Sequence, residues 1–272
     1  MTSDLASPAK PPGASRRSAL IVAHPGHELR VHRWLELERP SVFVLTDGSG
    51  HAGPGRLGSS QHVIEMGGAR CGSVFGRWSD REAYRVIFDH SLDEVREVVL
   101  AIVEELVALE VELVASDAVE GFNPTHDLCF VIAEAATTIA SRRLHRQVRH
   151  LVFPLEDAPD AASSSRQPVV RLELGSEAWR RKLDAARAYA ELREEVDRAF
   201  TNHALDAFRV EVLSRVPAEL SLEILTLGDA ATTRYEAFGE QRVAEGKYRE
   251  VLRLHEHWLP LADALRRWAA SA

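Results

Sequence analysis

Two histidines, His24 and His27, follow directly after the apolar run 19–23 and precede a segment with helical spacing of apolar residues. The run has the length of a strand, and Pro25 between the histidines is tolerated in the first turn of a helix. Ligands of open α/β sheets bind where strands end and helices begin, and the positive end of a helix dipole disfavours imidazolium there. Because neutral imidazole is the form that binds metal, the pair predicts half of a metal site. The alternative, in which His24 satisfies backbone groups of the turn and His27 is exposed, stays open on this segment alone.

A third histidine, His126, occurs in a similar setting further along the chain. It follows a predicted strand at 113–115 and opens a predicted helix, for which Thr125 is the expected N-cap. A catalytic zinc site takes three protein ligands and keeps one position open for water. Three neutral imidazoles would leave the full charge of a divalent ion to acidify that water. The three histidines therefore predict a metal site suited to making hydroxide near neutral pH.

The segments around these motifs alternate between strand-like and helix-like patterns. Strands are predicted at 18–23, 41–46, 84–88, 111–115 and 150–154, and helices at 26–38, 59–70, 92–109 and 126–146. Such alternation predicts an α/β fold with a mostly parallel sheet flanked by helices. A connector rich in Pro, Ala and Ser follows, then a short strand at 169–174 and a largely helical remainder, in which 208–213 and 220–225 are expected to add edge strands or a helix end.

The two histidine motifs resemble the signature pair of the LmbE/PIG-L family of zinc-dependent N-deacetylases and amidases. The family's first motif reads Ala-His-Pro-Asp-Asp-Glu, where this chain has Ala-His-Pro-Gly-His-Glu at 23–28, and the second reads approximately His-Pro-Asp-His, where this chain has Asn-Pro-Thr-His at 123–126. Weaker similarity to the family is found at 45–48 and 76–84. The resemblance implies a Rossmann-like sheet and assigns His24 and His126 as metal ligands.

This chain departs from the family's motifs at the residues that carry the chemistry. The family's general base, the first aspartate, is Gly26 here, and glycine cannot accept a proton. The second aspartate, a metal ligand, is His27, which keeps a ligand but exchanges an anionic oxygen for a neutral nitrogen. Asn123 replaces the histidine that the family uses to stabilise the oxyanion, and an amide can still donate a hydrogen bond to an oxyanion.

Three acidic residues are candidates for replacing the base, because a base must lie on the same strand-end surface as the metal. Asp127 follows His126, Asp47 lies in the loop after the second strand, and Glu28 follows His27. Glu28 matches the family's own glutamate, which favours a structural role for it. An acidic residue in a first helical turn, such as Asp127, is also favoured by the helix dipole alone.

The resemblance implies a metal-dependent hydrolase that removes an acyl group, most simply acetyl, from an N-acylated amino sugar or sugar conjugate by attack of zinc-bound water on the amide. In this hypothesis His24, His27 and His126 hold zinc, or another divalent metal, while Asn123 or a loop N–H steadies the oxyanion. The alternative is a catalytically silent metal- or sugar-binding protein on the same fold, since Gly26 supplies no base. A different metal-assisted reaction is a third hypothesis.

Composition and charge limit the remaining classes of function. The formal net charge of −8 argues against general binding to a phosphate backbone, and no stretch approaches the roughly 20 apolar residues that span a bilayer. The two cysteines, Cys71 and Cys129, fit a reducing compartment. We therefore expect a cytoplasmic protein with a small-molecule substrate and no nucleic-acid or membrane partner, and a homo-oligomer is left open.

Three regions are expected along the 272 residues. Residues 1–17 have the composition of a disordered tail and lack the apolar run of a signal peptide. Residues 18–155, the extent of the resemblance, form the Rossmann-like metal-binding core. Residues 156–272 form a C-terminal extension that packs on the same domain.

Overall fold

The computed structural model describes residues 17–50, 53, 55–161, 167–192, 205–215 and 232–272, and these contain one seven-stranded sheet. Its strands are β1 (Ser18–Val22), β2 (Ser41–Thr46), β3 (Arg70–Trp78), β4 (Leu113–Asp117), β5 (Arg149–Phe153), β6 (Gln167–Glu173) and β7 (Val210–Arg215). They lie in the order β3-β2-β1-β4-β5-β7-β6. β1 to β5 pair in parallel, whereas β7 is antiparallel to both β5 and β6. The predicted α/β fold with a mostly parallel sheet is confirmed.

Helices cover both faces of the sheet. The described helices are α1 (His32–Glu38), α2 (Leu57–Met66), α3 (Asp80–Phe88), α4 (Leu92–Ala108), α5 (Pro124–Arg143), α6 (Ser176–Ala188), α7 (Arg234–Ala244) and α8 (Leu259–Ser271). Successive side chains of β1 point to opposite faces, so Ile21 packs with α4, α5 and α8, while Leu20 and Val22 pack with Trp34 of α1. Burial on both faces explains why the central strands β1 and β2 are largely apolar rather than alternating.

The predicted strand at 84–88 is wrong, because this segment belongs to α3 and the third strand is β3. A capping box begins α3: the Glu82 N–H donates to the Ser79 hydroxyl, and the Ser79 N–H donates to the Glu82 carboxylate. The β-branched and aromatic residues at 84–88 have strand propensity, but the cap and the burial of Val86 and Ile87 against the sheet outweigh it.

Replacing the Ser79 cap should measurably destabilise the protein. Ser79→Ala removes the hydroxyl that accepts the Glu82 N–H, and loss of such a cap costs about 1 kcal/mol. We expect a lower midpoint of urea unfolding at unchanged slope. Ser91→Ala is the matched control, because Ser91 precedes α4 without a side-chain capping hydrogen bond. Equal midpoint shifts in the two variants would contradict the capping role of Ser79.

Other predicted elements differ from the observed ones in their bounds. The segment 26–38 begins with a 3-10 turn, His27–Val31, before α1, and the helix predicted at 59–70 is α2. The strand predicted at 169–174 corresponds to β6 at the sheet edge, whereas the segment 208–213 overlaps β7, which lies between β5 and β6. The predictions for 1–16 and 220–225 lie outside the described residues. No helix in the described part of the chain is long and apolar enough to cross a bilayer.

The end of the chain packs against the helix that carries the second histidine motif. α8 contacts α5, and a single π-helical turn, Leu254–Trp258, precedes α8. The indole Nε1–H of Trp258 donates to the backbone oxygen of Pro124 at 3.1 Å. Because Pro124 is the first residue of α5, this contact helps to fix where α5 begins.

Candidate functional site

Three histidine rings lie together where β1 and β4 end. The ring centres are 5.2 Å apart between His24 and His27, 5.0 Å between His24 and His126, and 4.6 Å between His27 and His126. β1 and β4 are adjacent and parallel, so the segments that follow them meet at the same edge of the sheet. The structure thus brings together the three residues predicted as ligands, and their role in metal binding stays a prediction.

Two carboxylates hold two of the rings by their Nδ1 atoms. Nδ1 of His24 lies 2.9 Å from the Asp80 carboxylate and 2.7 Å from the Thr46 hydroxyl. Nδ1 of His27 lies 2.8 Å from the Asp117 carboxylate. Metal-binding histidines commonly use one ring N–H in this way, which fixes the tautomer and leaves the other nitrogen, here Nε2, with a lone pair.

The electrostatics of the cluster favour the neutral form of the His27 and His126 rings. Burial lowers the pKa of His27 well below its usual value, and the charges of His24, Arg56 and Arg30 lower it further. Burial likewise lowers the pKa of His126 well below its usual value, with the other two histidines adding to the effect. Both rings are therefore uncharged at neutral pH, which is the form that binds metal.

Donor chemistry at the cluster suits a divalent metal. Nε2 of His24 is buried and has no hydrogen-bond partner among the described residues. Three imidazoles bound tetrahedrally at zinc–nitrogen distances of about 2.0–2.1 Å would have ring centres about 5 Å apart, close to the spacing observed. Nevertheless, no group of three or more His, Cys, Asp or Glu side chains in the described ranges has its donor atoms already arranged to hold a metal ion. Coordination would therefore have to draw the ring nitrogens together.

The structure places Asp127 in the first turn of α5 and Asp47 in the loop after β2. The carboxylate of Asp127 accepts the backbone N–H groups of Glu120 at 3.0 Å and Gly121 at 3.3 Å. The carboxylate of Asp47 accepts the N–H of Ser49 at 2.9 Å. Neither Asp127 nor Asp47 is among the described residues that line the cavity beside the histidines. Their observed contacts are with loop backbone, and their role as base stays a prediction.

Glu28 is buried beneath the loop that carries the first two histidines. Its carboxylate accepts hydrogen bonds from the Gly26 N–H at 2.7 Å, the Ser60 hydroxyl at 2.9 Å and the Tyr189 hydroxyl at 2.6 Å. Burial raises the pKa of Glu28, and these hydrogen bonds oppose that shift. The contacts are those of a residue that orients the loop, which supports the structural role favoured for it.

Asn123 lines the cavity at the start of α5. Asn123, rather than the expected Thr125, is the N-cap, since its side-chain oxygen accepts the Thr125 N–H at 2.9 Å. The proline that follows Asn123 explains the shift, because proline is preferred in the first turn and starts the helix there. The capping bond fixes the Asn123 side chain near the cluster.

Leu192 occupies the space next to Gly26, where the family carries its base. Gly26 has φ +106°, a conformation that side-chain-bearing residues rarely adopt. A Cβ atom at Gly26 would lie 2.1 Å from Cδ1 of Leu192, which belongs to a 3-10 turn, Ala190–Leu192, after α6. A side chain at position 26 would therefore overlap Leu192.

A cavity of about 910 Å³ opens beside the cluster. Its aromatic lining residues are Tyr84, Phe88, Phe122, Trp179, Phe208 and Tyr248, and its basic ones are Arg30, Arg56, Arg81, Lys182, Lys247 and Arg249. A concave cavity of this size with several aromatic lining residues is typical of small-molecule sites. The histidine cluster lies on one wall, so a molecule in the cavity would contact it.

Sequence reasoning missed the two carboxylates that hold the histidines. Asp117 ends β4, and Asp80 begins α3 directly after β3. Both therefore lie at strand ends on the same edge of the sheet, which is a signal visible in principle. Asp80 lies in the segment 76–84, which has weaker similarity to the family. Because the third strand was predicted at 84–88, Asp80 was not recognised as a residue at the end of a strand.

No protein family model matches the chain, and no curated protein matches it. Solved structures do match. The A40926 pseudoaglycone deacetylase Dbv21 is 18% identical, covers 75% of this chain and 98% of its own, and has a TM-score of 0.51. A triple mutant of a deacetylase of the teicoplanin biosynthetic pathway, Orf2*T, is 15% identical, covers 73% of this chain and 95% of its own, and has a TM-score of 0.50. These matches establish that the chain shares the fold of those proteins.

Proposed function

We propose that this chain, which has the fold of the LmbE/PIG-L-type deacetylases, is a metal-dependent hydrolase that removes an acyl group, most simply acetyl, from an N-acylated amino sugar or glycoconjugate. The observation that carries the proposal is the cluster of His24, His27 and His126 on the wall of a cavity of small-molecule size. Zinc is the metal we propose, with another divalent ion as the alternative.

The bound metal would supply a Lewis acid that activates water and polarises the amide carbonyl. In the chain itself, Asp80 and Asp117 hold the rings of His24 and His27 so that Nε2 of each remains available. Asn123, fixed by its capping bond, offers its amide N–H to negative charge that develops on the substrate oxygen. The aromatic residues that line the cavity would hold the sugar or the rest of the conjugate.

Proton transfer is the weakest part of this site. Asp80 lines the cavity, but one oxygen of its carboxylate lies 2.9 Å from Nδ1 of His24 and the other accepts the Gly50 N–H at 2.6 Å. These contacts occupy the carboxylate, so we assign Asp80 to positioning His24. A positioned base typically contributes about 10²- to 10⁴-fold to rate, so we expect slow turnover.

The direct test is release of acid from N-acylated sugars by the purified protein. N-acetylglucosamine and N-acylated glycoconjugates would be incubated with protein loaded with zinc and with protein stripped by a chelator, and released acetate and free amine would be measured together. We expect both products in equal amounts and only with metal. Absence of both products with zinc, cobalt, nickel and manganese, in protein that binds those metals, would overturn the hydrolase proposal.

A catalytically silent binding protein is the second candidate, and Leu192 favours it. A leucine packed where a base would begin is consistent with a site that has lost proton transfer. Such a protein would bind metal and an N-acetylated sugar while releasing no product. Calorimetric binding without acid release therefore separates this candidate from the enzyme.

A further inference from the structure

Arg30 presents an unpaired guanidinium nitrogen beside the histidine cluster. It lies in the 3-10 turn that begins at His27, and it lines the cavity. Its guanidinium carbon is 5.0 Å from the ring centre of Phe208, so the group is held in place by an aromatic face. Its Nη1 atom is buried without a hydrogen-bond partner among the described residues. A buried charged donor left unpaired is costly, and an anion bound there would offset that cost.

The charge of Arg30 reaches the cluster. Arg30 and Arg56 both line the cavity that the histidine cluster also lines, and the charge of each acts on His27. Burial lowers the pKa of Arg30, and the charges of three carboxylates oppose that shift, those of Glu120, Glu156 and Asp157. The Glu120 carboxylate accepts the backbone N–H groups of residues 155–157, and its contacts leave Nη1 of Arg30 unpaired.

The cavity lining is basic although the chain is acidic. Among the described residues, six Lys or Arg line the cavity against three Asp or Glu, namely Asp80, Glu156 and Glu250, in a chain of net charge −8. Of the lysines, Lys182 is paired with Glu211 at 2.8 Å and Lys247 with Glu245 at 2.8 Å. Charge concentrated in a cleft against the sign of the whole chain attracts ligands of the opposite charge.

We propose that Arg30 and Arg56, which line the same cavity, form an anion subsite next to the histidine cluster, and that the substrate carries a carboxylate or phosphate group near its amide. This inference rests on the proposed function for the identity of the reacting site. The planar guanidinium suits both anions, since each can accept two parallel N–H bonds from one arginine. A neutral N-acetylated sugar would therefore be a poor ligand compared with an acidic one.

Calorimetry on the full-length, zinc-loaded protein tests this without requiring turnover. Three probes share the N-acetylated sugar and differ in charge: N-acetylglucosamine, N-acetylglucosamine 6-phosphate and N-acetylmuramic acid, which carries a carboxylate. We expect at least one acidic probe to bind about tenfold or more tightly than the neutral one, with a preference that weakens as salt increases. The two acidic probes distinguish phosphate from carboxylate as the preferred group.

Arg30→Gln should reduce the preference for the acidic probe about tenfold or more, whereas Arg30→Lys should retain part of it. Arg143→Gln, which removes an exposed arginine paired with Glu104 on the helices away from the cavity, is the matched control and should leave the preference unchanged. Thermal melting verifies that each variant is folded.

Three results would overturn the subsite: equal binding of all three probes, no binding of either acidic probe, or an unchanged preference in folded Arg30→Gln. Acid release with no charge preference would refute the subsite alone, and charge-selective binding without acid release would refute the hydrolase alone.

Discussion

Replacing His126 with alanine is expected to remove tightly bound metal and, with it, any acid release from an N-acylated sugar. His126 lies 4.6 Å and 5.0 Å, ring centre to ring centre, from the other two histidines, and its substitution leaves two nitrogens where a catalytic zinc site needs three ligands. Loss of an outer-shell partner alone typically weakens metal binding by about 10- to 100-fold, so loss of a ligand should exceed that range. Metal content by plasma mass spectrometry after dialysis, and competition with a chromogenic chelator, measure the effect.

His62→Ala is the matched control for this experiment. His62 is exposed on α2, so its loss removes a histidine without touching the cluster. Wild-type and His62→Ala proteins should retain near-stoichiometric zinc, and circular dichroism should verify that His126→Ala is folded. Equal zinc content in folded His126→Ala and in the control would contradict the assignment of His126 as a ligand. Zinc lost from His126→Ala, with no acid release in the wild type, would favour the silent binding protein.

The sheet and the convergence of the histidines could be predicted because both follow from local patterns. Apolar runs of strand length separated by helical patterns specify a parallel sheet, and parallel strands bring the segments after β1 and β4 to the same edge. The error at 84–88 arose because a helical segment with strand propensity is indistinguishable from a strand unless its N-terminal capping box is weighed. Reading Ser79 and Glu82 as that box would have placed β3 correctly.

The polar contacts of the site were harder to predict than its histidines. Asp47 and Asp127 are close to the motifs in sequence, yet their carboxylates contact loop backbone, which no spacing rule reveals. Asp117 contacts His27 from the neighbouring strand β4, and Asp80 contacts His24 from beyond the end of β3, two strands away, so their roles depend on register and on rotamers. The packing of Leu192 on Gly26 joins segments that are distant in the chain and carry no shared motif.

Substituting Gly26 with aspartate, the residue found at this place in the LmbE/PIG-L motif that the sequence resembles, is expected to destabilise this protein rather than to activate it. At φ +106° a residue with a Cβ atom is strained by about 1–3 kcal/mol, and the Cβ atom would lie 2.1 Å from Cδ1 of Leu192. Overpacking of this kind costs about 1–3 kcal/mol more. We expect urea unfolding to report a loss of about 2–6 kcal/mol, with no gain in acid release.

Two further variants separate strain from crowding at Gly26. Gly246 has φ +70° and open space where a Cβ atom would lie, so Gly246→Asp should show strain alone, at about 1–2 kcal/mol. A double-mutant cycle combines Gly26→Asp with Leu192→Ala. If Leu192 crowds position 26, the double variant should lose less unfolding free energy than the two single variants lose in sum, by about 1 kcal/mol or more. Additive effects would show that Leu192 does not block position 26. Coupled effects would show that Gly26 and Leu192, which are distant in the chain, together exclude a side chain from this part of the site.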